Sequence, residues 1–105
     1  MTAEEQNILK RIGDSIRKSE RGVEAFLFGS RARGDAKKDS DWDILILSDS
    51  DNFLEVEEKV RDKIYRLELE SGQIISLLTY SKKYWHNTLS VTPLYKSVLK
   101  EGIKL

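Results

Sequence analysis

Residues 23–47 read VEAFLFGSRARGDAKKDSDWDILIL, and this stretch decides the fold. Val23 to Gly29 is short, aromatic and β-branched and ends at a Gly-Ser pair, which predicts a buried strand. Residues 30–39 are polar with a glycine in their middle, which predicts a short helix followed by a loop. Trp42 to Leu47 predicts a second buried strand, closed by a run of turn-forming residues.

Amphipathic helices are predicted on both sides of this stretch. Residues 3–20 and 53–70 carry apolar side chains at intervals of three and four, with polar residues between them. Each segment therefore predicts a long helix with one buried face. The remaining predicted elements are a third strand at residues 73–80, a short helix after Ser81 and a last helix from Thr92-Pro93 to Gly102.

These elements predict one domain over residues 1–105 of the α/β or α+β class, with helices and sheet in two layers. We expect a small mixed sheet of at least three strands with helices packed on it. The first two strands are joined by a connection of only about a dozen residues, whereas the third follows a full helix. A purely parallel sheet is therefore not favoured.

The composition restricts the classes of function. Eighteen basic and eighteen acidic residues cancel, so no overall field attracts nucleic acid or a membrane, and any anion site must be local. The absence of cysteine excludes disulfides, zinc–thiolate sites and thiol nucleophiles. The polar N-terminus has no apolar segment typical of a secretion signal, and we expect a cytoplasmic protein.

The first half of the central motif favours an anion site. Gly29 lacks a Cβ, so a phosphate could approach the backbone there. Ser30 opens a short helix, and the free N–H groups at its start form an anion-binding nest with the serine hydroxyl. Arg31 and Arg33 add positive charge in the same turn, and we expect only one of them to face the phosphates.

The second half favours a metal site. Asp41 and Asp43 stand at positions i and i+2 of the predicted strand, so their side chains lie on one face, about 7 Å apart along the backbone. Trp42 lies on the opposite face and packs under the helices. Two converging carboxylates raise each other's pKa unless a cation sits between them. Mg²⁺ commonly binds to one or two carboxylates together with substrate phosphates.

Each half also has an ordinary structural explanation. A Gly-Ser pair after a strand is usually a turn, and an Asp-x-Asp at the start of a strand is more often a solvated strand end or a helix cap. The two together favour a functional site, because they flank adjacent strands and bring a phosphate cradle beside a pair of carboxylates.

Gly29-Ser30, ten intervening residues and Asp41-x-Asp43 resemble the Gly-Ser-x10-Asp-x-Asp signature of the DNA polymerase β-like nucleotidyltransferase superfamily. The flanking sequence is most similar to the minimal nucleotidyltransferases, whose antitoxin members pair with HEPN-domain toxins. The resemblance covers roughly residues 23–81. It implies that Gly29 and Ser30 hold the phosphates of a nucleoside triphosphate, with ATP favoured, and that Asp41 and Asp43 are catalytic and bind Mg²⁺ or Mn²⁺.

One position departs from the superfamily pattern. The superfamily usually has a third carboxylate in the middle of the third strand, where this chain has Ser76. A serine ligates a metal weakly and cannot act as a general base near neutral pH. Glu68 and Glu70 are candidates to replace it, although both belong to the end of the preceding helix.

The sequence therefore supports two main functions. The first is an enzyme that transfers a nucleoside monophosphate, AMP from ATP by preference, to a hydroxyl of a protein or a small molecule. The alternative is a catalytically weak or inactive nucleotidyltransferase-fold antitoxin or binding subunit that acts by contact with a HEPN-type partner. A nucleic-acid-binding module is not favoured, and a second copy of the chain remains open as a partner.

Overall fold

A mixed sheet of four strands lies at the centre of the computed structural model, which describes residues 1–105. The strands occur along the sheet in the order β3-β2-β1-β4. β1 pairs antiparallel with both β2 and β4, and β2 pairs parallel with β3, so the predicted mixed sheet is confirmed. The strands are β1 (Val23–Phe28), β2 (Trp42–Ser48), β3 (Ile75–Ser81) and β4 (Ile103–Lys104).

Five α-helices accompany the sheet, and all were predicted. They are α1 (Ala3–Ser19), α2 (Ser30–Arg33), α3 (Phe53–Ser71), α4 (Lys82–Asn87) and α5 (Pro93–Glu101). α5 begins as the sequence indicates: the Thr92 hydroxyl accepts the N–H of Tyr95 ahead of it, and Pro93 occupies its first turn. α3 ends at Gly72, whose φ of +71° is the left-handed conformation that glycine favours. No helix in the chain is both long enough and apolar enough to cross a membrane.

Helices cover both faces of the sheet, so the predicted two-layer arrangement is wrong. Trp42, Ile44 and Ile46 of β2 belong to the larger core cluster, which also contains side chains of α1 and α3. Leu45 and Leu47 belong to the second cluster, with side chains of α4 and α5. The cause is the run of apolar residues along β2, which is buried on both faces and needs a cover on each side.

The strand β4 was not predicted from the sequence. It has only two residues, both exposed, and it completes the edge of the sheet by pairing with Phe26 and Leu27. Its stabilisation comes from backbone hydrogen bonds to β1, with a further bond from the Leu105 N–H to the Ala25 carbonyl oxygen at 2.9 Å. A strand this short leaves no hydrophobic pattern in the sequence.

Candidate active site

The turn after β1 presents free backbone N–H groups. Gly29 has a φ of +77°, and its carbonyl oxygen accepts the N–H groups of Ala32 and Arg33 at 3.1 Å each. The N–H groups of Ser30 and Arg31, in contrast, donate to no backbone oxygen. The start of α2 is therefore supplied with donors that a bound anion could satisfy.

Gly29 lies directly against Asp43. The register of β1 and β2 pairs Phe28 with Asp43, so Gly29 follows immediately beside that carboxylate. A Cβ at position 29 would lie 3.1 Å from Asp43 Cγ and would overlap its Oδ2. Glycine is required here for this close approach as well as for the positive φ. The two halves of the motif are thus in direct contact.

Asp41, Asp43 and Ser76 lie together at the start of β2 and β3. Asp43 is the second residue of β2 and pairs in register with Ser76, so their side chains share a face. Asp41 was expected inside β2, but it lies one residue before that strand begins. Its side chain is exposed. The Ser76 hydroxyl donates to Asp41 Oδ2 at 3.2 Å.

The electrostatics of Asp43 follow the predicted direction. Burial of the Asp43 carboxyl raises its pKa above the usual value, and the charge of Asp41 raises it further. The Arg33 guanidinium partly opposes both effects. Two carboxylates held at this edge without a strong counter-charge fit a divalent cation, which would relieve both the burial and the repulsion.

The two arginines of the motif point in different directions. Arg33 is close enough to Asp43 to act on its pKa, and it contacts Asp35 Oδ2 at 3.4 Å and Glu101 Oε2 at 3.9 Å. Glu101 Oε2 is buried and has no hydrogen-bond partner. Sequence reasoning did not identify Glu101, because nothing in the chain links it to a motif 68 positions away.

Arg31 does not add its charge to the phosphate cradle in this structure. Its side chain is 6% exposed and lies over the ring of Trp42, with Cζ 4.3 Å from the ring centroid. Trp42 packs on the α1 and α3 side of the sheet, opposite Asp43. The expectation that only one arginine faces the anion site therefore points to Arg33.

Neither proposed substitute for the third carboxylate is free to serve. Glu68 Oε2 accepts the backbone N–H of Ile75 at 2.9 Å, and Glu70 forms an ion pair with Arg11 at 2.6 Å. No cluster of three metal-ligating side chains exists in the chain. Two carboxylates and one hydroxyl suit an ion that takes its other ligands from substrate phosphates and water.

Comparison with known proteins is consistent with this geometry. Residues 9–105 match the family described as the nucleotidyltransferase domain. The chain therefore belongs to the nucleotidyltransferase domain family, whose members generally use a divalent metal ion. In Methanocaldococcus jannaschii, the protein named "Putative protein adenylyltransferase MJ0604" is 31% identical over 100 residues, covering 93% of this chain and 94% of that protein.

Solved structures with the same fold include two toxin–antitoxin assemblies. One, described as a toxin–antitoxin with AMP-PNP, has a TM-score of 0.65 and 19% identity, covering 90% of this chain and 69% of that one. The other contains a tri-AMPylated Shewanella oneidensis HEPN toxin in complex with an MNT antitoxin. It has a TM-score of 0.61 and 17% identity, covering 94% of this chain and 69% of that one. These likenesses show the fold.

Proposed function

We propose that this chain is a metal-dependent nucleotidyltransferase that transfers AMP from ATP to a hydroxyl group, with a protein hydroxyl as the favoured acceptor. The observation that carries the proposal is the contact between Gly29 and Asp43, which joins a turn with free N–H groups to a carboxylate whose burial a cation would relieve. Membership of the family supports the reaction class, and the adenylyltransferase name of the archaeal relative supports AMP as the group transferred.

Nucleotide binding is assigned to the turn between β1 and α2. The free N–H groups of Ser30 and Arg31 and the Ser30 hydroxyl would donate to the β- and γ-phosphates. Arg33 would add a charge-assisted hydrogen bond after turning away from Asp35 and Glu101, whose contacts with it are long. Arg31 contributes its backbone N–H alone.

Metal binding is assigned to Asp41 and Asp43, with Mg²⁺ or Mn²⁺ as the ion. When bound, such an ion supplies positive charge against the charge that develops on the phosphates. Asp43 is fixed by strand pairing on two sides, whereas Asp41 is held by the Ser76 hydroxyl. The two carboxylates are thus held by different means, Asp43 by strand pairing and Asp41 by a side-chain hydrogen bond.

The transfer step is an in-line displacement at the α-phosphorus. The acceptor oxygen forms a bond to that phosphorus, the bond to the bridging oxygen breaks, and pyrophosphate leaves. The acceptor hydroxyl also loses a proton, and Ser76 cannot accept it near neutral pH. We therefore expect slow transfer unless the acceptor protein supplies a base.

Labelled ATP tests this proposal. The chain is incubated with Mg²⁺ or Mn²⁺, candidate acceptor proteins and ATP labelled at the α- or the γ-phosphate. Incorporation from the α label alone, lost in Asp43→Asn and kept in Asp62→Asn, is the expected result. Asp62 is an exposed aspartate of α3 without an ion pair, so it is a matched control for charge removal. Equal incorporation in Asp43→Asn would refute the proposal.

A second function is favoured by Ser76 and by the toxin–antitoxin assemblies among the structural neighbours. In it, the chain is an antitoxin subunit that neutralises a HEPN-type partner by contact, with little or no transfer. Its test is titration of a HEPN-type protein with the Asp43→Asn variant. Stoichiometric neutralisation by that variant without ATP supports the contact function, whereas a requirement for ATP and Asp43 supports the enzyme.

A further inference from the structure

Arg31 occupies an unusual environment for a charged residue of an exposed motif. Its guanidinium is buried against the ring of Trp42, in the geometry of a cation–π contact. Burying a charge is costly unless hydrogen bonds compensate for the lost water. The partners that compensate therefore indicate what the side chain does.

Those partners lie in the loop that carries Asp41. Arg31 donates to the Ser40 carbonyl oxygen from Nε at 3.1 Å and from Nη2 at 2.8 Å, and Nη2 also reaches the Lys38 carbonyl oxygen at 3.3 Å. Glu5, the only carboxylate in contact, is at 3.4 Å from Nη1. The strongest bonds of this buried cation are thus made to the peptide group that joins Ser40 to Asp41.

The residue on the other side of Asp41 is fixed as well. The Trp42 backbone N–H donates to the Ile74 carbonyl oxygen at 2.9 Å, and its indole N–H donates to Gln73 Oε1 at 3.0 Å. Arg31 stacks on the same indole. Asp41 is therefore an exposed residue with an immobilised backbone on both sides.

We propose that Arg31 is a positioning residue that fixes Asp41 for metal binding, a role that rests on the proposed function of this site. Asp41 lies outside β2, so strand pairing does not hold it in place. The hydrogen bond from Ser76 restrains the side chain of Asp41, while the hydrogen bonds from the Arg31 guanidinium to the Ser40 carbonyl oxygen restrain its backbone. A direct contact of the Arg31 guanidinium with phosphate is not compatible with its place on the Trp42 face.

Lysine at position 31 would keep the positive charge but lose the paired hydrogen bonds to the Ser40 carbonyl oxygen and the stacking on Trp42. A guanidinium can bind one carbonyl oxygen through two N–H groups and stack flat on an indole, whereas an ammonium does neither in the same way. Arg31→Lys is thus expected to leave the fold in place and free the backbone at Asp41. Loss of a group that orients a metal ligand typically weakens metal affinity about 10- to 100-fold.

The test measures Mn²⁺ affinity from the electron paramagnetic resonance signal of free Mn²⁺, with no nucleotide present. Arg31→Lys and Arg31→Met are compared with the wild type and with Arg17→Lys, a control in which a surface arginine paired with Asp14 is changed in the same way. Each position-31 change is also made in an Asp41→Asn background. Melting temperatures are recorded without metal for every variant.

We expect Arg31→Lys to weaken Mn²⁺ binding by about tenfold or more and Arg17→Lys to leave it unchanged. In the Asp41→Asn background the change at position 31 should have no further effect, because its effect passes through Asp41. A general loss of structure would instead weaken binding in both backgrounds, and that result would overturn the positioning role.

The failures of the two proposals are distinguishable. Wild-type-like Mn²⁺ affinity in both position-31 variants overturns the role of Arg31 and leaves the metal site intact. Absence of Mn²⁺ binding by the wild type overturns the metal site itself, and the role of Arg31 with it. Should Arg31→Lys fail to fold, Arg31→Met keeps the stem on Trp42 and gives the same comparison.

Discussion

Asp43 carries an electrostatic cost in the metal-free chain, and Asp43→Asn should therefore make the fold more stable. Burial and the Asp41 charge raise the pKa of Asp43, so its ionised form is less favourable in the folded state than in the unfolded state. Asparagine has nearly the same shape and no charge. Removing the carboxylate thus relieves burial and repulsion together, with a small loss from the Arg33 attraction.

The expected gain is about 1 kcal/mol. Two charges about 7 Å apart, the separation expected of strand positions i and i+2, repel by about 0.6 kcal/mol in water and about 2.4 kcal/mol at an effective dielectric of 20. Asp41 is exposed, which favours the lower end of that range. For a domain of this size, about 1 kcal/mol raises the melting temperature by about 5 °C.

Metal should reverse the order of stability. An ion at ten times its dissociation constant stabilises the wild type by about 1.4 kcal/mol, or about 7 °C, whereas Asp43→Asn should gain almost nothing. Melting curves at pH 7 with EDTA and with Mg²⁺ or Mn²⁺ measure both quantities, with Asp62→Asn as the control. The reasoning is refuted by an Asp43→Asn variant that melts below the wild type in EDTA. It is equally refuted if metal raises the melting temperature of Asp43→Asn as much as that of the wild type.

The pH dependence of stability separately tests whether the Asp43 charge causes the difference between Asp43→Asn and the wild type. A raised folded-state pKa for an acid means that the wild type regains stability as the pH falls and the carboxyl takes up its proton. The advantage of Asp43→Asn in EDTA should consequently shrink between pH 7 and pH 4. An advantage that stays constant over that range would show that the carboxylate charge is not its source.

Three further changes test other parts of the site. Gly29→Ala should lower the free energy of unfolding by about 1–3 kcal/mol because of the positive φ, and the clash with Asp43 should lower it further. We expect a lower melting temperature and loss of ATP binding, and wild-type ATP affinity would contradict this. Ser76→Asp should speed AMP transfer about 100-fold, measured with α-labelled ATP. An unchanged rate would show that a carboxylate at position 76 does not assist the transfer. Glu101→Gln should release Arg33 and tighten ATP binding about two- to fivefold, because partly exposed ion pairs contribute up to about 1 kcal/mol. Calorimetry measures this affinity, and weaker binding would mean that Glu101 holds Arg33 in place.

The parts of the fold and site that the sequence predicts are those with a local signal. The apolar runs of β1 and β2 and the spacing of α1 and α3 identify these elements because each buries a continuous face. The Asp43 environment follows from the alternation of side chains along β2. In each of these cases neighbouring residues carry the information.

The parts that were missed depend on residues far apart in the chain. The position of β4 depends on the free edge of β1, and the contact between Arg33 and Glu101 depends on where α5 ends. In the sequence, Arg31 looks like a phosphate ligand because its charge and its position in the motif suit that role as well as those of Arg33 do. Only the orientation of its side chain, set by Trp42 and the loop carbonyls, assigns it to the opposite face.

The alternation of Trp42 and Asp43 at the start of β2 also determines which face of the sheet carries the carboxylate. Because side chains alternate along a strand, a slip of one residue would bury Asp43 between α1 and α3 and expose Trp42 to water. Burying a carboxylate without a compensating partner is costly, which disfavours the slipped register. The register that buries Trp42 between α1 and α3 therefore also places Asp43 on the α4 and α5 side of the sheet, beside Gly29.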